Sequence, residues 1–309
     1  MTSLATSKAA SHAGDDQEAS GAPRADCIAD SAGGLTFDVT DPGVPGTEDA
    51  AHLLLRRRDA ESPEDCVRLP LSPSADGRLR AALPSSVELA EGRWNAYAQV
   101  AGGEPRRLMP GLNDLRSLVD RAPSGSRGHV AVRIPYATKQ GNLSVRSWLR
   151  APHAETGEIG ITDTAMTVQG RVYGTAIADT AYVEAVRRAE PDVVHRAEAT
   201  AEGPEFTFEL PYGPLAGRGA GPWDLWLRPA GESGPRVRLA RLLDDVPDKK
   251  AIFTYPVVPC ATADHGTLEA GPYYTLDNDL SVRVRETEAK KGTGGKEGAG
   301  EKEEAGEEG

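Results

Sequence analysis

Twelve residues of this chain are written twice: PYATKQGNLSVR at 135–146 returns as PYYTLDNDLSVR at 272–283, with the differences gathered about the centre. The neighbours return as well. GRWNAYAQV (92–100) is answered by GPWDLWLRP (221–229), and RRLMPGLNDL (106–115) by VRLARLLDDV (237–246). Upstream, ADGRLRAALP (75–84) is answered by AEGPEFTFELP (201–211), and LTFDV (35–39) by MTVQG (166–170). The matches keep one order at offsets of about 130 positions, drifting only with loop insertions, so the chain is a tandem duplication of a unit of roughly 120 residues. Its fold must be one that a single unit can adopt and the chain can repeat.

Within each unit the apolar residues alternate. Leu35, Phe37 and Val39 do so, as do Val130, Val132 and Ile134, and Leu280, Val282 and Val284. Period two places one face of a strand on a core and the other towards solvent. Turn clusters (DPGVPG at 41–46, SPSADG at 72–77, APSGSRG at 122–128) punctuate these runs. Short strands with frequent turns predict an all-β fold: two tandem antiparallel immunoglobulin-like β-sandwich modules. AYVEAVRRAE (181–190) has some helical character, but its counterpart AHLLLRRRDA (51–60) reads as a strand, and both are expected to be strands. The duplicated twelve residues are a hairpin. Gly141 and Asn142 are expected at the turn in one copy, Asn278 and Asp279 in the other, with Leu143 and Val145 inward and Ser144 and Arg146 outward.

The ends differ from the middle. Residues 1–32 lack apolar periodicity, and residues 288–309 are an acidic Glu/Lys/Gly tract. Neither buries enough surface to offset the entropy of ordering, which predicts a disordered leader and tail. Between them lie repeat 1 at 33–150, a linker at 151–160 and repeat 2 at 161–287. No stretch has the apolar run of a secretory signal or a membrane span, which points to the cytoplasm. Cys27, Cys66 and Cys260 do not occupy matching places in the repeats, so free thiols are expected. A net charge of −12 argues against a nucleic-acid partner, whose phosphates it would repel.

Chemistry finds few footholds. The six histidines show no metal-ligand spacing. Cys260 and His265 lie close enough in sequence for a nucleophile-base pair to be imagined, but a solvent-exposed loop histidine is the much stronger reading. There is no nucleophile elbow, phosphate-cradling loop or dinucleotide fingerprint, and no cofactor is expected. Asp277-Asn278-Asp279 has the D-x-D form by which a carboxylate pair holds a hard divalent cation, and it supports an alternative reading as a metal-dependent glycosyl- or glycerophosphotransferase. Its counterpart, Gln140-Gly141-Asn142, supplies no carboxylates, and Asp and Asn are also the residues that turns favour. The aromatic pattern says more. With Trp94, Ala96 and Ala98 inward, Tyr97 points outward; with Trp223, Leu225 and Leu227 inward, Trp226 does the same. Arg228 follows in repeat 2, and alternation puts Trp148 outward beside Arg146. Tyr97, Trp226, Trp148, Arg146 and Arg228 are therefore the candidate binding residues, for a glycan ring or a protein interface. Packing beneath a loop or between the repeats is the competing explanation.

At GPWDLWLRP, VRLARLLDDVPDKK (237–250) and PYYTLDNDLSVRV (272–284) the chain resembles the β-sandwich accessory modules of actinobacterial CDP-glycerol glycerophosphotransferases and related wall-polymer glycosyltransferases. The resemblance covers roughly residues 33–287 and is clearest in the second repeat. It implies a non-catalytic role in cell-wall glycopolymer assembly, with a wall-polymer transferase or its glycan or polyol-phosphate product as partner. The catalytic unit of that family is a separate nucleotide-binding α/β domain, so the resemblance carries over no catalytic residue.

Overall fold

The computed structural model describes residues 21–40, 51–58, 66–119, 121–123 and 128–287. The predicted tail at 288–309, the first twenty residues of the predicted leader and the turn at 41–46 lie outside these described residues. The first repeat contributes β1 (Arg24–Ala29), β2 (Leu35–Thr40), β3 (His52–Arg57), β4 (Cys66–Pro70), β5 (Ser72–Pro73) and β6 (Leu79–Leu83). It continues with β7 (Gly92–Gln99), β8 (Arg106–Arg107), β9 (Met109–Asp114), β10 (Val130–Ala137) and β11 (Leu143–Arg150). The second contributes β12 (His153–Ile161), β13 (Ala165–Tyr173), β14 (Tyr182–Arg187), β15 (Val194–Glu202) and β16 (Glu205–Pro211). After these come β17 (Gly221–Arg228), β18 (Val237–Ala240), β19 (Val258–Thr262), β20 (Gly266–Tyr274) and β21 (Leu280–Glu286). The protein is mostly β, as expected, and both ambiguous segments are strands.

The ladder pattern of one repeat recurs in the other. β2 pairs β6 as β13 pairs β16, and β3 pairs β7 as β14 pairs β17. The hairpin β10–β11 lies against β7 as β20–β21 lies against β17. β1 runs antiparallel to β2 and parallel to β9, as β12 does to β13 and β18.

That last match moves the boundaries read from sequence. The end of the expected disordered leader is β1, with Cys27 completely buried, and the expected linker at 151–160 is mostly β12. Each repeat starts about ten residues earlier than its apolar alternation suggested, because the first strand is short and polar enough to read as loop. The thiol of Cys27 is pushed up to about 12 by burial, with Asp26 and Asp38 adding to the effect. All three cysteines are free.

Closure also departs from two immunoglobulin-like sandwiches. In repeat 2, β15 pairs both β14 and β16, and β18 pairs both β12 and β17. With β14 paired to β17, seven strands close into a barrel, in the order β14-β15-β16-β13-β12-β18-β17. In repeat 1 the two bridging strands are each split. β4 pairs β3 while β5 pairs β6, and β8 pairs β7 while β9 pairs β1, leaving two separate sheets. Pro70, Pro73 and Pro110 stand in the split strands, and neither β15 nor β18 contains proline. Proline has no N–H to donate, so a strand that must serve two neighbours is interrupted where it occurs.

Each repeat has its own core. Phe37, Leu53, Leu83 and Trp94 anchor the first, and Phe206, Trp223, Tyr212 and Tyr274 the second. The division is incomplete, because Ala240 and Leu242 of repeat 2 are packed into the core of repeat 1.

Candidate functional site

On the sheet face opposite the core, both repeats build the same polar network. The outward residue of β7, Asn95, lies opposite Ser144 of β11, and in repeat 2 Asp224 lies opposite Ser281. The Ser144 hydroxyl donates to Asn95 Oδ1 at 3.0 Å, and that of Ser281 to Asp224 Oδ1 at 3.0 Å. An arginine from the following segment lies across each pair. Arg107 donates to Asn95 Oδ1 at 3.3 Å and to the carbonyl of Ala96 at 3.0 Å. Arg238 donates to Asp224 Oδ1 at 2.8 Å and to the carbonyl of Leu225 at 3.3 Å.

Tyr97 and Trp226 sit beside these networks, half-buried at equivalent places, as alternation predicts. Their rings carry guanidinium groups of the chain itself. Arg107 and Arg56 lie over Tyr97 at 4.9 and 5.2 Å, and Arg236 and Arg238 over Trp226 at 4.6 and 5.1 Å. Such contacts hold a flexible cation in place through the ring quadrupole.

Charge separates the two copies. Burial raises the Asp224 carboxyl, but hydrogen bonds and charge from Arg188 and Arg238 outweigh it and lower the group to about 2. Asn95 supplies no charge, and burial lowers the Arg107 guanidinium from its ordinary value.

Trp148 and Arg146 are not outward. Trp148 is fully buried and Arg146 nearly so. Alternation assigned them correctly to the face opposite Leu143 and Val145, but that face is covered by the turn at 275–279 from repeat 2. Trp148 Nε1 donates to the carbonyl of Asp277 at 3.1 Å, and Arg146 donates to Asp277 Oδ1 at 2.6 Å. Arg150 reaches Asp279 Oδ1 at 3.3 Å, with Arg238 at 3.4 Å from the other oxygen. Asn278 makes the turn possible. It takes φ of 62°, its Oδ1 accepts from the Lys249 backbone at 3.0 Å, and its counterpart Gly141 has φ of 75°. The two carboxylates of the D-x-D sequence are thus engaged by arginines, and among the described residues no three His, Cys, Asp or Glu side chains gather as metal ligands. Burial raises the Asp279 carboxyl despite the pull of Arg150 and Arg238. Arg228 lies 3.2 Å from Glu184, which also pairs with Arg236. Burial pushes the Cys260 thiol up, the opposite of what a nucleophile needs, while His265 is exposed.

Where the repeats meet, Trp226 and the acidic turn border a cleft of about 860 Å³. Six of its lining residues are Arg or Lys and four are Asp or Glu, so the cleft is locally cationic in a chain of net charge −12. Sequence reasoning missed Arg188, Arg236, Arg238, Lys250, Tyr273 and Arg283 there. The signal was present in the duplication: Arg58, Tyr136 and Arg146 correspond to Arg188, Tyr273 and Arg283. Arg58 donates to the Tyr136 hydroxyl at 3.4 Å, as Arg188 does to that of Tyr273.

No protein-family profile matches this chain, and no curated protein does. Among solved structures it is similar to the crystal structure of S. aureus TarS, at 11% sequence identity and a TM-score of 0.36, over 52% of this chain and 28% of that one. The match thus spans less than a third of the TarS chain. A likeness of that size identifies neither a family nor an activity.

Proposed function

We propose that this chain is a non-catalytic accessory protein of cell-wall glycopolymer assembly, working in the cytoplasm. It binds a wall-polymer transferase, or that enzyme's glycan or polyol-phosphate product, through its arginine-bearing aromatic faces. The setting rests on the resemblance of the blocks at 221–229, 237–250 and 272–284. The binding role rests on one observation: Tyr97 and Trp226 stand half-buried at the same outward position of both repeats, each with two guanidinium groups over its ring. Rings and cations ordered before contact lose little side-chain entropy on binding, and they suit a ligand that combines hydroxyl-rich rings with anionic groups. No helix among the described residues is long and apolar enough to cross a membrane.

The test is retention of purified wall polymer, and of the transferase, by Tyr97→Ala and Trp226→Ala proteins. Both variants keep the thermal midpoint within a few degrees and bind at least about tenfold more weakly, the equivalent of about 1.4 kcal/mol. Unchanged binding in both removes the reading. Nucleotide release from CDP-glycerol with Mg²⁺ and a polymer acceptor, lost in Asp277→Ala, would replace it with a transferase.

A further inference from the structure

The duplication supplies an internal control for what the uncovered arginine of repeat 2 is built to meet. In repeat 1 the arginine of the LSVR sequence, Arg146, holds an anion: the Asp277 carboxylate, delivered by the neighbouring repeat at 2.6 Å. In repeat 2 the same position is Arg283. It stands on the same strand of the same hairpin, packed 4.3 Å over the ring of Tyr273, and it is exposed. No carboxylate among the described residues lies within ion-pairing distance of it. Lys250, also lining the cleft and also exposed, has none either. The other four cations of the cleft are committed: Arg150 to Glu91 and Asp279, Arg188 to Asp224, Arg236 to Glu184, and Arg238 to Asp224 and Asp279. The cleft lining therefore presents two cations without counter-charges, Arg283 and Lys250, together with the rings of Tyr273 and Trp226.

We infer that this cleft holds an anion site for a phosphate ester carried on a polyol or sugar, with Arg283 and Lys250 as its free cations and the rings of Tyr273 and Trp226 available to the carbon skeleton. This deepens the proposed function and rests on it for the polyol or sugar portion; the anion site itself rests on the repeat comparison alone. A planar guanidinium fixed on a tyrosine ring offers two parallel N–H donors to phosphate oxygens, and the lysine adds a point charge that adjusts its position. A lone carboxylate would satisfy Arg283 as Asp277 satisfies Arg146, but it would leave the rings without a partner.

Titration of the full chain with glycerol 3-phosphate, inorganic phosphate and glycerol, followed by calorimetry and by tryptophan fluorescence, tests the site. Glycerol 3-phosphate binds, glycerol does not, and inorganic phosphate binds more weakly than the ester. Arg283→Gln and Lys250→Gln each weaken the ester by about tenfold, while Arg116→Gln, on an exposed segment of repeat 1, leaves it unchanged. Rising salt weakens binding in step. No binding of either phosphate, or equal losses in all three variants, overturns the anion site. Inorganic phosphate binding as tightly as the ester overturns the polyol portion. Polymer retention by the Tyr97 and Trp226 variants is read separately, so loss of the phosphate site and failure of the accessory role give different results.

Discussion

Set side by side, the two repeats share every main ladder and differ in what their outer faces do. In repeat 1 the hairpin face is an internal surface: Trp148 and Arg146 lie beneath the 275–279 turn. In repeat 2 the same strand carries Arg285 in place of Trp148, and Arg283 and Arg285 are exposed. The turns diverge in the complementary direction. Gln140-Gly141-Asn142 has no charge, whereas Asp277-Asn278-Asp279 brings two carboxylates to the arginines of its neighbour. Duplication gave both copies one scaffold. The copies then specialised, one as socket and the other as plug, leaving the second socket open to something else.

The largest expected effect comes from removing the socket's floor. Trp148→Ala costs about 3–5 kcal/mol in chemical denaturation, because a fully buried indole leaves a cavity. Arg285→Ala, at the matching position, costs less than about 1 kcal/mol, since its pair with Glu269 is exposed. Equal losses would mean that the two faces are not distinct after all.

Next comes the plug. Asp279→Ala takes an acceptor from Arg150 and Arg238, both largely shielded, and costs about 2–3 kcal/mol. Asn142→Ala in the other turn stays within about 0.5 kcal/mol. A denaturation curve that separates into two transitions in Asp279→Ala alone would show that the turn couples the repeats.

The smallest effect is the one that depends on pH. Asp224 is held at about 2, against an ordinary 3.8, so its contribution is complete above about pH 4 and is lost as pH falls through about 2. Asp224→Asn, which gives repeat 2 the amide that repeat 1 already has, lowers stability by about 1–2 kcal/mol at pH 7. Wild type and variant converge towards pH 2. A constant gap between pH 2 and pH 7 would place the effect in packing rather than charge.

The duplication, the strands and the inward residues of β7 and β17 were legible because burial on one face imposes period two directly on the sequence. Tyr97 and Trp226 followed from the same rule. Trp148 did not, since alternation names the face of a strand but not what covers that face. The first strand of each repeat was missed for the opposite reason. β1 and β12 are too short or too polar for a clear pattern, and their pairing with β9 and β18 is parallel and distant in sequence. Barrel closure hung on whether a proline stood in a bridging strand, a local fact with a long-range consequence. The cleft was the least visible feature, because its cations come from five separate segments that only folding brings together.

The packing of Ala240 and Leu242 into the core of repeat 1 also sets how this chain can be divided. A cut at the repeat boundary separates one pattern of letters from its copy, but it does not separate two independent bodies. A fragment ending near residue 151 would present the Trp148 socket to solvent, and the nearest substitute for its missing plug would be the 275–279 turn of another full-length chain. Truncation would then exchange partners between molecules instead of releasing a free half, which makes the pair of repeats the smallest self-sufficient unit of this protein.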